Sequence, residues 1–443
     1  MRFLKEHAVG LVGISLVTDD FQKAVIATKA IKKSLGLPVI WGGAHVNVCP
    51  EECLEYVDMI CMGEGEEALL ELVNSLSDNQ KPEPAIKNIW FKTPGGEILR
   101  NELRDLTENL EQFPLADIDP VTSYQMNERV FDHPADRANR MEYSIMTSRG
   151  CPYGCCYCYN NYRRKHYQGK GRYVRLRSIE NVIQELSIAK AAYKDLKKIN
   201  FWDDSFLVRD KEEFKKFAEL YNKYIGIPFF ILAEPMAFDE EKIGILKGCG
   251  LSQIQIGIQT GSERINKEVY NRKISNRRVS EIARSIDRLG LAVKYDVIFN
   301  NPYETREDII RTIRLFAEFP KPYFIQGYNL IFYPGTQITE NALRDGFISA
   351  RKDKDDFTTI QGEINTPLLS KRRSVISSRF YSVNYDSGAK EYLNYVFRLL
   401  GTRYISRGVI EYFIRSETIF KRFFLKFLTK GYFFLSRIKN MVG

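Results

Sequence analysis

From residue 143 onward the chain alternates short apolar runs with amphipathic stretches, and few architectures accept such a pattern. Runs at 143–147, 198–202, 228–233, 253–258, 292–299 and 323–332 read as strands, and helical spacing of apolar residues fills 178–193, 211–224, 239–248, 275–289 and 305–318. A strand, a helix and a further strand in sequence make a right-handed crossover between parallel neighbours. Six such units in tandem predict an α/β fold of the partial, TIM-like (β/α)6 kind, with its chemistry at the C-terminal ends of the strands.

A shorter alternation precedes it. Apolar runs at 9–17, 38–41 and 57–61 are separated by helical patterns at 21–35, 51–56 and 66–76, which predicts part of a doubly wound, Rossmann-like sheet over 1–77. Its three strand ends carry Gly13-Ile14-Ser15, Gly42-Gly43-Ala44-His45 and Gly63-Glu64-Gly65-Glu66. Small residues such as Ser15, Gly42, Gly43 and Gly63 let a bulky ligand approach the backbone at such a switch point. Residues 78–140 read as a linker with a small β-element, including a hairpin around Pro94-Gly95-Gly96, and 141–346 as the barrel. The remainder, 347–443, reads as a helical C-terminal region rich in basic and aromatic residues.

With 44% hydrophobic and 27% charged residues, the 443-residue chain has the balance of a folded multidomain protein. Most of the net charge of +9 belongs to 401–443, where nine Lys/Arg face two carboxylates. That tail could touch a membrane surface, or equally be a solvated face. No apolar run approaches the roughly 20 residues that span a bilayer. The stretch 8–17 is followed by Thr18-Asp19-Asp20 where a leader's cleavage site should be. Four of the eight cysteines (151, 155, 156, 158) crowd into eight residues, which suits a metal or cluster site in a reducing compartment better than disulfides. A cytoplasmic protein, with a peripheral membrane contact open to 401–443, is the expectation.

The crowded segment follows the first barrel strand directly: Ser148-Arg149-Gly150-Cys151-Pro152-Tyr153-Gly154-Cys155-Cys156-Tyr157-Cys158. Three thiolates at C-x3-C-x2-C spacing can take three irons of a cubane and leave the fourth without a protein ligand. An open coordination position is what lets a metal centre bind substrate. The alternative on residue types alone is a zinc site completed by His166. Cys156, between the ligands, reads as a core residue.

This loop, with the aromatic Tyr157 before the last cysteine, resembles the cluster motif of the radical S-adenosylmethionine (SAM) superfamily. The resemblance covers about 143–346. It implies a [4Fe–4S] cluster on Cys151, Cys155 and Cys158, SAM chelated at the open iron, and reductive release of a 5′-deoxyadenosyl radical. It also implies contacts to SAM from Asp203 and Asp204, from Glu234, from Gln259, Ser262 and Arg272, and from Asn301. In the last segment, Asn300-Asn301-Pro302-Tyr303-Glu304-Thr305, Asn300 and Tyr303 stand where many relatives have glycine.

The N-terminal segment is similar to the later part of the cobalamin-binding domain found ahead of this kind of barrel. The first strands and the D-x-H-x-x-G motif of such a domain are missing, so it reads as a truncated version in which His45 is a loop residue and not a cobalt ligand. Cobalamin is therefore a possible third cofactor beside the cluster and SAM. The implied function is cobalamin-type methylation or rearrangement of an unactivated carbon in a small-molecule or lipid substrate. Electrons would come from a donor such as flavodoxin or ferredoxin, and nucleic acid is not an expected partner. The alternatives are methylthiotransferase-like tRNA modification, with Cys49, Cys53 and Cys61 holding an auxiliary cluster, or a non-catalytic docking scaffold.

Overall fold

The computed structural model describes residues 2–79, 84–118, 125–127, 130–132, 141–350 and 381–383. The basic stretch 401–443 and most of the expected helical C-terminal region lie outside the described residues. These described residues fall into two compact units, drawn from 1–108, 162–173 and 333–335, and from 109–161, 174–332 and 336–443. Among the described residues no helix is long and apolar enough to cross a membrane.

The first unit runs α1 (Arg2–Glu6), β1 (Val12–Ser15), α2 (Phe21–Leu35), β2 (Val39–Gly42), α3 (Ala44–Val48), α4 (Pro50–Cys53), β3 (Met59–Cys61), α5 (Glu66–Asn79), β4 (Ile89–Lys92) and β5 (Ile98–Arg100). Its five strands lie in chain order, β1 to β3 parallel and β3 to β5 antiparallel. The hairpin expected around Pro94–Gly96 therefore continues the N-terminal sheet, because β4 hydrogen-bonds β3. Strand side chains alternate between faces, and the two faces build separate cores. Trp41 and Ile60 join Phe21, Val46 and Cys53 in one, while Ile40, Met59 and Cys61 join Ala68, Leu72 and Ile89 in the other. Buried Trp41 keeps a partner for its indole N–H, donating to Thr28 Oγ1 at 2.9 Å.

The second unit holds a short antiparallel pair, β6 (Gln125–Asn127) and β7 (Val130–Asp132), and then the barrel. There β8 (Glu142–Ile145) leads through β9 (Ser148–Arg149), the start of α6 (Tyr159–His166, whose residues from 162 on belong to the first unit) and β10 (Arg175–Leu176) to α7 (Ile179–Ala192) and β11 (Lys198–Phe201). After it come α8 (Lys211–Tyr224), β12 (Phe229–Ala233), α9 (Glu240–Gly248), β13 (Leu251–Gln259), α10 (Asn276–Arg288), β14 (Ala292–Phe299), α11 (Arg306–Ala317) and β15 (Phe324–Asn329). The six barrel strands pair in parallel in the order β15-β14-β13-β12-β11-β8, with β8 and β15 at the edges. The tandem alternation is thus realised as an open, six-stranded parallel sheet. Beyond it, α12 (Gln337–Arg344) is followed by an antiparallel pair, β16 (Ile348–Ala350) with β17 (Tyr381–Val383).

Local chemistry sets where the crossover helices begin. Ser178, Asp210, Asp239, Ser275 and Thr305 each cap a helix N-terminus with a side-chain oxygen, and Asp210 and Thr305 form full capping boxes with Glu213 and Asp308. Each cap contributes about 1 kcal/mol. One face of the sheet packs on these helices through Tyr143, Ile145, Ile199, Phe201, Phe229, Ile231, Ile254, Ile256, Val293 and Tyr295. The residues between them in sequence point to the opposite face.

Candidate active site

The cysteine loop leaves the C-terminal end of β8, where the parallel strands deliver their loops. Cys151, Cys155 and Cys158 are half-buried, with no disulfide, whereas Cys156 is buried. The backbone N–H of Cys156 donates to Tyr270 O at 3.2 Å, its carbonyl accepts from Ile338, and its thiol faces the Val269 carbonyl. Cys156 is therefore a core residue.

Burial pushes the Cys151 thiol up to about 12 and the Cys158 thiol up to about 11, and it raises Cys155 as well. Part of the rise comes from the thiols' own proximity, since Cys155 and Cys158 raise Cys151 and Cys155 raises Cys158. Three sulfurs that repel one another as thiolates form a donor set that a cationic centre would stabilise. That fits an iron–sulfur cluster.

Charged groups surround this trio. Glu234, at the end of β12, is pushed up to about 7 by burial and accepts a hydrogen bond from Ser205 Oγ. Asp204 raises both Glu234 and Cys158 and so lies beside them. Arg272 lowers Cys155 and is itself buried, its guanidinium donating to the carbonyls of Ile258 at 2.7 Å and Gly257 at 2.5 Å. Two carboxylates and one guanidinium beside a donor trio suit a ligand that carries both an ammonium and a carboxylate. Tyr157 packs edge-on against Tyr270 at 5.0 Å, and burial holds its hydroxyl protonated. Gln259 closes β13 at φ +71°, half-buried beside the same strand end.

Three further expected contacts are buried and bond to the protein's own groups. Asp203 is fully buried, and its Oδ1 accepts from Thr147 N at 2.9 Å, Thr147 Oγ1 at 2.9 Å and Ser148 Oγ at 2.5 Å. Through Oδ1 it ties the β11 end to the start of the cysteine loop as a positioning residue, while its buried Oδ2 takes no hydrogen bond among the described residues. Arg209 supports the same joint, donating to Thr147 O at 3.0 Å and Arg177 O at 2.8 Å. This network went unread in the sequence, because a lone Arg gives no signal of where it folds. Ser262 is likewise fully buried, its hydroxyl donating to Asp308 at 2.6 Å. Asn301 is enclosed too, bonded to the Tyr270 hydroxyl at 3.0 Å and accepting from Tyr303 N at 3.0 Å. Asn300, in a glycine position, takes φ +59°. Asparagine is among the few residues that tolerate that region, so the turn keeps its shape.

In the first unit, Ser15 is exposed and Gly42 and Gly63 are half-buried at the strand ends. A Cβ on Gly42 would make only ordinary contact, nearest Cys61 at 3.8 Å, so that edge is free of bulk. Ser15 and Gly42 therefore fit the approach of a large planar cofactor. Gly43 and Gly63 serve the chain's own packing instead. Gly43 sits at φ +94° and ψ −175°, and a Cβ there would fall 2.7 Å from Leu16 O. Gly63, at φ +70°, abuts the Tyr167 hydroxyl, which accepts from Glu64 N at 2.8 Å. Gly43→Ala should lower stability by about 1–3 kcal/mol, read by thermal unfolding. No change in melting temperature would contradict the steric account.

His45 is on α3 and not in a loop. It is fully buried, with Nδ1 3.2 Å from Thr18 Oγ1 and its ring 4.9 Å from Phe21. The cysteines required by the methylthiotransferase alternative do not converge, because Cys53 and Cys61 lie in the two separate cores.

Comparison with known proteins agrees with both units. Residues 145–316 match the radical SAM superfamily and residues 1–73 the B12 binding domain. An uncharacterized methyltransferase of Pyrococcus horikoshii is 27% identical over 355 residues, covering 78% of this chain and 72% of that protein. The cytidylyl-2-hydroxyethylphosphonate methyltransferase of Streptomyces wedmorensis is 22% identical over 408 residues, covering 83% and 73%. In fold, the chain is similar to the radical SAM methyltransferase TsrM from Kitasatospora setae, solved with tryptophan and a SAM analogue, at a TM-score of 0.62 and 17% identity over 80% of this chain and 69% of that one. The chain belongs to the radical SAM superfamily, in the group whose barrel is preceded by a B12-binding domain.

Proposed function

We propose that this protein is a cobalamin-using radical SAM methyltransferase, with Cys151, Cys155 and Cys158 as the ligands of a [4Fe–4S] cluster. The observation that carries the reading is the trio of half-buried, mutually repelling thiols at the C-terminal end of a six-stranded parallel sheet, ringed by Asp204, Glu234 and Arg272. Cys151, Cys155 and Cys158 would hold the cluster, which would supply the electron for reductive cleavage of a SAM carbon–sulfur bond.

The protein's own groups bind and orient. Asp204 and Glu234 accept from the SAM ammonium, Arg272 faces its carboxylate, and Tyr157 walls the loop side. Asp203 and Arg209 hold β8 and β11 in register so that the cysteines keep their spacing. Ser15 and Gly42 would flank cobalamin in the first unit. The relatives' methyltransferase chemistry favours methylation over rearrangement, with a small-molecule substrate and an electron donor of flavodoxin or ferredoxin type.

The test is anaerobic reconstitution of the full chain, followed by assay for 5′-deoxyadenosine under low-potential reduction and by spectral titration with cobalamin. The expected result is SAM cleavage together with a cobalamin spectral shift. Zinc as the sole metal, or intact SAM, would overturn the cluster assignment. Cleavage without a cobalamin shift would remove the methyltransferase part.

A further inference from the structure

The helix-free face of the barrel sheet is not a packed aliphatic core. Between the helix-facing residues of the six strands stand Glu142, Ser144, Lys198, Asn200, Phe230, Gln255, Lys294, Asp296 and Tyr328, polar or aromatic, with Leu232 and Ile298 as aliphatic exceptions towards the strand ends. Parallel strands covered on both faces normally read as near-continuous aliphatic runs, and barrel interiors fill with Val, Ile and Leu. A face of amides, rings and a few charged groups is instead what a ligand site uses.

One of its carboxylates is Asp296, in the middle of β14. Both its oxygens face the single amide nitrogen of Gln255 on β13, at 2.9 and 3.0 Å, and that nitrogen lies 3.4 Å from the Tyr328 hydroxyl on β15. Among the described residues these are its only side-chain partners, and no cation forms an ion pair with it. Lys294, two residues back on the same strand, acts on it only at a distance. An ionised carboxylate accepts about four hydrogen bonds, so one shared amide leaves most of its capacity open. Burial pushes Asp296 up to about 6, which leaves it charged at neutral pH, with Lys294 acting on it electrostatically but no ion pair in contact among the described residues.

Ring surface lies beside it on the neighbouring strand: Tyr328 is 46% exposed, and its hydroxyl lies 3.4 Å from the amide nitrogen that faces Asp296. An exposed aromatic ring next to a carboxylate with open hydrogen-bond capacity complements a cation joined to a flat apolar group.

Resting on the proposed function, we propose that this face binds the substrate, and that the substrate carries a basic nitrogen which Asp296 accepts from, with its apolar body against Tyr328. Asp296 lies four residues before Asn300 at the strand end, about 13 Å along the strand. The nitrogen is thus held deep and the other end of the molecule lies towards the cysteine loop.

The test uses the reconstituted, unreduced full chain in equilibrium dialysis. The probes are 2-phenylethylammonium and 2-phenylethanol, alike in shape and different in charge. The ammonium should bind about tenfold or more tighter than the alcohol. Asp296→Asn, similar in shape and neutral, should bring the two within about twofold, while Asp296→Glu should keep the preference. The comparison of probes within the wild type needs no variant, so a misfolded variant leaves the test intact. Equal binding of the two probes, or a preference that survives Asp296→Asn, overturns the inference. Wild-type 5′-deoxyadenosine formation, measured on the same preparation without probe, reports separately on the proposed function.

Discussion

Alanine at Cys151, Cys155 or Cys158, one at a time, should abolish iron retention and 5′-deoxyadenosine formation together, by about 10⁴-fold or more, as when one essential group is removed from a site that works as a unit. Alanine at Cys156 should do neither. Its thiol lies in the core with Ile265, Tyr270 and Phe332, so its loss should cost about 1–2 kcal/mol of stability and leave iron content near wild type. Iron analysis, product assay and thermal unfolding on the four variants check the contrast. Four cysteines within eight residues cannot be sorted by composition, and their burial is what divides them. Iron loss in Cys156→Ala equal to that in Cys155→Ala would mean that the cluster uses a different set.

The largest effect on stability is expected at Asp203. Alanine there strips Thr147 N–H and two hydroxyls of their shared acceptor in a fully buried setting, and removes the negative charge that Arg209 feels. Removing one partner from a buried charged network destabilises by about 3–5 kcal/mol. Because Cys151 follows Ser148 by only three residues, iron retention should fall as well. Asp203→Asn keeps one acceptor oxygen and should lose less, by about 1–2 kcal/mol. Urea unfolding of the apo and reconstituted forms measures both. A variant of wild-type stability with only a raised KM for SAM would place Asp203 in the ligand site and contradict the buried network.

Much of the architecture was legible because it depends on local rules. The period-two and period-3.6 apolar patterns placed all six barrel strands and the five crossover helices to within a few residues, and the caps Ser178, Asp210, Asp239, Ser275 and Thr305 are visible as residue types. The hairpin at Pro94–Gly96 was read correctly as a turn. Its membership of the N-terminal sheet was not, since strand pairing is a long-range choice that periodicity does not encode. The polar lining around Asp296 did leave a trace, in Gln253-x-Gln255 and Lys294-x-Asp296 within strands that should be apolar throughout. Read as alternation, these would have marked a ligand face.

What the sequence alone determined was the order of strands and helices and the spacing of three cysteines on a loop, both set by neighbours along the chain. Tertiary structure alone decided which polar side chains meet a ligand. Ser262 and Asn301 share the strand-end address of Asp204 and Glu234, yet a carboxylate, a backbone N–H and a tyrosine consume their hydrogen bonds, and Asp203 commits one of its two oxygens to Thr147 and Ser148. A buried polar group must be satisfied by whatever packs beside it, and that partner comes from distant sequence.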